Sequence, residues 1–157
     1  MRLVTVTVLV TIAAVVASPG AAAADAACGP HQLRGATVRT FCGSARATVV
    51  VAGKTIRIRG GACEIVNASG ITAYTVNAGT YTIPRAKPRA TSFSAAGSEL
   101  KPGGPYTGWL VNFQTPGRQW TLRPTTTKVT IGAKGRSGTF SGTLYEGGKT
   151  AKGSWSC

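Results

Sequence analysis

Few residues here could do acid–base chemistry. The only histidine is His31, in Cys28-Gly29-Pro30-His31, and the acids are Asp25, Glu64, Glu99 and Glu146. A Ser-His-Asp or Cys-His constellation needs an imidazole held beside its nucleophile, whereas His31 reads as an exposed loop residue. A glycosidase needs two carboxylates flanking a cleft. Glu64 and Glu146 are the pair that could approach each other, but Glu146 stands in Glu146-Gly147-Gly148-Lys149, a solvated hairpin tip. A ribonuclease-type base and acid reduce to His31 with Glu64. Ser141, in Phe140-Ser141-Gly142, lacks the Gly-x-Ser-x-Gly elbow. The expectation is a non-catalytic protein without a cofactor, a hydrolase with an unrecognised site being the enzymatic alternative.

The four cysteines, Cys28, Cys42, Cys63 and Cys157, are too widely spaced for a zinc site, which presents close Cys pairs, so no metal is expected. An even number accords with two disulfides in an oxidising compartment. Four cysteines allow three pairings. Cys63 shares an inward strand parity with Ile65, and Cys157 shares one with Trp155. These parities favour Cys63–Cys157 across the sheets, with Cys28–Cys42 pinning the N-terminal segment.

The elements that must position these residues begin after an export signal. Met1-Arg2 is a positive start, Leu3 to Ala17 is almost wholly apolar, Ser18-Pro19-Gly20 breaks the run, and Ala21 to Ala24 supplies small residues. That order predicts a signal peptide over 1–24, cleaved after Ala24 with Ala26 and Ala27 as alternatives, and a secreted product; an uncleaved anchor helix is the competing reading. Asp25-Ala26-Ala27-Cys28 lacks the aliphatic residue of a lipoprotein signal, and lipid on Cys28 would strand one thiol. A lipid anchor through Cys28 is therefore the minor alternative.

Residues 25–46 show little periodicity and are expected as an N-terminal extension, with a β-domain over 47–157. Ala47 to Ala52 is β-branched and apolar, Gly53-Lys54 follows as a hairpin tip, and Thr55 to Arg59 alternates with Ile56 and Ile58 inward and Arg57 and Arg59 outward. Gly60-Gly61 marks a bulge or kink. Ile71 to Val76 and Thr80 to Ile83 are weaker strands, and Pro84 to Pro105 reads as one long connection. Trp109, Val111 and Phe113 share a face, as do Trp120 and Leu122, Val129 and Ile131, Phe140 and Leu144, and Gly153, Trp155 and Cys157. No amphipathic helix is evident. Eight or so short strands predict an all-β fold: a small antiparallel β-sandwich, immunoglobulin-like or a partly open barrel, stapled by disulfides.

The formal net charge is +14, a field that attracts anionic polymers and membrane surfaces. Arg85, Lys87, Arg89 and Lys101 cluster in the Pro-rich connection, and Arg57 and Arg59 add an outward pair. These six residues are the candidate anion-binding site. The expected partner is an anionic cell-envelope polymer or membrane surface, with nucleic acid a further candidate; no small-molecule substrate is identified, and a monomer is expected. Tyr74, Tyr81, Tyr106, Trp109 and Trp120 could offer stacking surfaces. Trp120 and Trp155 are expected in the core, and both readings stay open for Trp109.

Ala47 to Cys63, a strand, an Ala-Gly-Lys turn, a second strand, then glycine and Cys, and the end Gly153-Ser154-Trp155-Ser156-Cys157 after Ser137 to Leu144 and a Gly-Gly turn, resemble the actinobacterial lipoprotein family of the mycobacterial antigen LpqH. The resemblance covers about half of the chain after the signal. It implies a small β-sandwich, a Cys63–Cys157 bridge and a cell-envelope role of adhesin or antigen type, with no catalytic residues to carry over. The chain departs from that family in its missing lipobox, its basic charge and its second Cys pair.

Overall fold

The computed structural model describes residues 28–68, 71–83, 86–98, 106–132 and 134–157. The signal peptide expected over 1–24 and its cleavage region lie outside them, as do Arg85, Glu99 and Lys101.

The described residues form twelve strands in two antiparallel sheets. They are β1 (Gly29–Leu33), β2 (Ala36–Thr40), β3 (Arg46–Val51), β4 (Lys54–Arg59), β5 (Gly61–Ala68), β6 (Ile71–Thr82), β7 (Ser92–Ser98), β8 (Leu110–Thr115), β9 (Arg118–Thr121), β10 (Lys128–Ile131), β11 (Ser137–Thr143) and β12 (Thr150–Ser156). One sheet has seven strands in the order β1-β2-β6-β7-β8-β9, with β5 also on β6; the other runs β10-β11-β12-β3-β4. The sheets meet at one corner through the Leu122–Leu144 bridge but do not close into a barrel.

The β3–β4 hairpin shows how local sequence makes these elements. Val49 and Val51 are buried, Ile58 is buried and Ile56 half-buried, and Arg57 and Arg59 are exposed. The tip sits one residue earlier than expected. Ala52 (φ 49°) and Gly53 (φ 74°) both take positive φ, as a two-residue type I′ turn requires, so Lys54 already pairs with Val51. Gly60 (φ 79°) then turns the chain from one sheet to the other, the kink expected at Gly60-Gly61.

The two weak strands expected around Ile71 and Thr80 are one twelve-residue strand, β6. Gly79 carries a φ of 81° within it, which bends the strand without ending it. One edge of β6 pairs with β7. The other is shared, with β5 along Ile71–Ala78 and β2 along Thr80–Thr82. Residues 25–46, expected as an N-terminal extension with little periodicity, contain the β1–β2 hairpin, in which Ala36 and Val38 are buried.

The connection expected over Pro84 to Pro105 contains β7, with Phe93 and Ala95 fully buried. Its small residues hid it, and they are small because a large ring lies against them: a Cβ on Gly97 would meet Trp109 Cε2 at 2.1 Å. Ile65, expected inward, is 50% exposed; β5 lies at the rim, where its neighbour is the loop at Gly135.

The core is aromatic. Trp155 of β12 has ring neighbours Tyr74, Phe93, Trp109 and Phe140 at centroid distances of 6.2, 6.0, 6.3 and 6.3 Å. Its Nε1 donates to the Tyr74 hydroxyl (3.0 Å), which donates to the Gly135 carbonyl (2.7 Å). Tyr74 and Trp109 are fully buried, so neither offers the stacking surface considered for it. Trp120 is half-buried on Phe113 at 5.1 Å. Where β7 diverges from β6, the buried Gln114 side chain takes the place of a strand: its Oε1 accepts from Thr82 N (2.8 Å), and its Nε2 donates to Thr82 O (3.2 Å) and to Gln119 Oε1 (3.0 Å). Buried backbone groups need such partners.

Both favoured disulfides form, Cys63–Cys157 across 94 residues and the remaining pair Cys28–Cys42 across 14. In the chain-entropy description the longer loop stabilises by about 4.7 kcal/mol and the shorter by about 3 kcal/mol. Replacing Cys63 and Cys157 together by Ser should therefore lower the urea-unfolding free energy more than replacing Cys28 and Cys42. Equal losses, or the reverse order, would contradict the assignment of Cys63–Cys157 as the main staple.

Burial pushes the Tyr74 phenol above its ordinary value of 10.0, against a smaller downward pull from the Trp155 hydrogen bond. The folded state thus holds this proton more tightly than the unfolded chain, and the stability it contributes is present below pH 10 and lost as pH rises through the raised value. The stability advantage of the wild type over Tyr74→Phe should be constant up to about pH 9 and shrink above pH 10 in denaturation series. A constant gap to high pH would contradict a protonated, hydrogen-bonded Tyr74.

Candidate anion-binding face

Side chains along the five-stranded sheet alternate between core and solvent. Inward stand Ala47, Val49, Ile58, Val129, Phe140, Ala151 and Trp155, all buried. Outward, the register places Arg46 opposite Arg59 and Thr48 opposite Arg57. Thr48 lies opposite Ser154, and Ser154 opposite Thr139. The next row runs Lys128, Ser141, Lys152, Val50 and Thr55 across all five strands. Adjacent strands are about 4.8 Å apart, so the face is a lattice of hydroxyls carrying Arg46, Arg57, Arg59, Lys128 and Lys152, each exposed.

No outward position of these five strands is acidic. Glu64 lies in β5 of the other sheet, and Glu146, in the β11–β12 turn, accepts from Thr121 N (3.2 Å). The Arg46–Arg59 pair is therefore like-charged and directly opposed, and none of the five strands supplies an Asp or Glu side chain beside it. Such a pair opposes folding in isolation, and an anion held between two guanidinium forks would relieve that repulsion. Shallow depressions of about 740 and 550 Å³ on this face share Lys128, Ser141 and Lys152 in their linings, which places ammonium and hydroxyl donors together.

Of the six basic residues singled out in the sequence, Arg57 and Arg59 lie on this face. Lys87 and Arg89 are exposed in the segment that leads into β7, beside the seven-stranded sheet, where Arg89 N donates to Thr82 Oγ1 (2.9 Å) and Gly117 N to Pro88 O (2.8 Å). The structure thus divides these four between the two sheets; Arg85 and Lys101 lie outside the described residues. Sequence reasoning missed Arg46, Lys128 and Lys152. The signal was available: each alternates with a buried neighbour, Ala47, Val129 and Ala151. Only the strand order β10-β11-β12-β3-β4 brings them together.

The residues weighed for catalysis sit apart in the fold. His31 is in β1 and not in a loop, with Nδ1 3.2 Å from Gly29 O; Glu64 is in β5 and Glu146 on its turn. Among the described residues, no group of three or more His, Cys, Asp or Glu is arranged to hold a metal. No protein-family model, curated protein or solved structure matches the chain.

Proposed function

We propose that this is an exported, non-catalytic β-domain that binds an anionic polymer of the cell envelope through the outer face of its five-stranded sheet. The observation that carries the reading is the directly opposed Arg46–Arg59 pair on a face whose five strands carry no Asp or Glu. The net charge of +14 supplies the long-range attraction, and the serine and threonine hydroxyls supply donors suited to phosphate or carboxylate oxygens. Two disulfides accord with an oxidising, extracellular compartment. An envelope location is further supported by the resemblance of the Ala47–Cys63 hairpin and the C-terminal hairpin to the LpqH family.

Binding to teichoic acid, anionic vesicles and single-stranded nucleic acid should be measured across a salt series. Binding that weakens with salt is expected, strongest for the envelope polymer. The triple variant Arg46→Ser, Arg57→Ser, Arg59→Ser should lower the magnitude of the log K against log salt slope by about 2 to 3 if each arginine meets one phosphate, with thermal stability changed by no more than about 0.5 kcal/mol. If the Lys87→Ser, Arg89→Ser variant loses affinity and the triple variant does not, the site belongs to the other sheet. Absence of binding at low salt would end the proposal.

A further inference from the structure

The outer face of the seven-stranded sheet has different chemistry. Asn77 of β6, Ser94 of β7 and Asn112 of β8 stand directly opposite one another in register, forming one polar row across three adjacent strands. All three are half-buried, and within the described protein none makes a side-chain hydrogen bond. Gln114 is the contrast, its carboxamide fully engaged with Thr82 and Gln119. The row floors a groove of about 390 Å³. Tyr81, paired with Arg39 across the β2–β6 ladder, lines it, and the Arg39 guanidinium stacks on Phe41 at 5.6 Å. Gln119 also lines it; its Oε1 is held by Gln114, which orients its own amide group.

We infer that this groove is a saccharide-binding site, separate from the cationic face, that takes a glycan chain laid across β6, β7 and β8. A carboxamide carries two donors and an acceptor, and a hydroxyl donates and accepts, which matches the mixed donor and acceptor character of sugar hydroxyls. These side chains are half-buried but their polar atoms remain open to solvent and unclaimed by the described protein, so a ligand can take them up in exchange for water. The rings of Tyr81 and Phe41 provide flat surfaces for the C–H face of a pyranose. An extended peptide is disfavoured, since strand addition needs an open sheet edge and this row lies on strands already paired. Nucleic acid is disfavoured because, among the described residues, Arg39 is the single cation lining the groove, too little charge to follow a phosphate backbone.

The oxidised protein should be titrated by NMR with hexasaccharides of glucan, chitin, xylan and polygalacturonate. Salt near 1 M, where the Debye length is about 3 Å, silences the cationic face. One of these glycans is expected to bind and to shift the side-chain amide signals of Asn77, Asn112 and Gln119. Asn112→Ala and Tyr81→Ala should each weaken that binding by about tenfold or more with an unchanged melting temperature. Arg46→Ser with Arg59→Ser should leave it unaltered, so that failure of the anion-binding proposal and failure of this one are told apart. The inference is overturned if none of the four glycans binds at millimolar concentration, if Asn112→Ala and Tyr81→Ala do not matter, or if single-stranded DNA shifts the same amides in their place at this salt.

Discussion

The two sheets depend on one buried hydrogen-bond relay, Trp155 Nε1 to the Tyr74 hydroxyl to the Gly135 carbonyl. Trp155 comes from the five-stranded sheet, Tyr74 from the seven-stranded sheet, and Gly135 from the turn between β10 and β11. A phenol and an indole are both expensive to bury without partners, so the relay sets the spacing of the sheets and fixes their relative position. The Cys63–Cys157 bridge lies beside it, with Cys157 Sγ 3.9 Å from the Tyr74 hydroxyl. Covalent staple, hydrogen bonds and aromatic packing therefore converge on one place. Trp109 Nε1 is the exception, buried without a hydrogen-bond partner among the described residues.

Large rings in a thin interior require something small opposite them. A Cβ on Gly138 would meet Trp155 Cζ2 at 2.2 Å, as one on Gly97 would meet Trp109. Glycine here is a packing decision: it lets a ring lie over the neighbouring strand and restores the apolar cover that the missing side chain would have supplied. The cost is a weak sequence signal, since strands rich in Gly, Ala and Ser look like connections.

With the interior closed by aromatic packing, the outer faces are free to differ. The five-stranded sheet presents hydroxyls and cations; the seven-stranded sheet presents carboxamides beside two aromatic rings. The first chemistry is long-ranged and screened by salt. The second is short-ranged and indifferent to it. On the proposed reading, the cationic face draws the molecule to an anionic polymer and the groove selects the glycan it holds.

The sequence by itself determined the class of fold. Alternation at Thr55 to Arg59, the shared faces of Trp109, Val111 and Phe113, and the parity of Cys63 and Cys157 are local properties of an extended chain, because successive side chains point to opposite sides. They suffice for an all-β protein with two disulfides and for the outward direction of Arg57 and Arg59. Tertiary structure alone decided which strands are neighbours. Lys128, Lys152 and Arg46 are remote in the chain and become one face only through the order β10-β11-β12-β3-β4, and Asn77, Ser94 and Asn112 become one row only through the register of β6, β7 and β8. Strand β7 escaped a sequence reading because its partner in packing, Trp109, is supplied from elsewhere. Periodicity records which way a side chain points; which distant side chain it meets is settled by packing, and the candidate sites lie there.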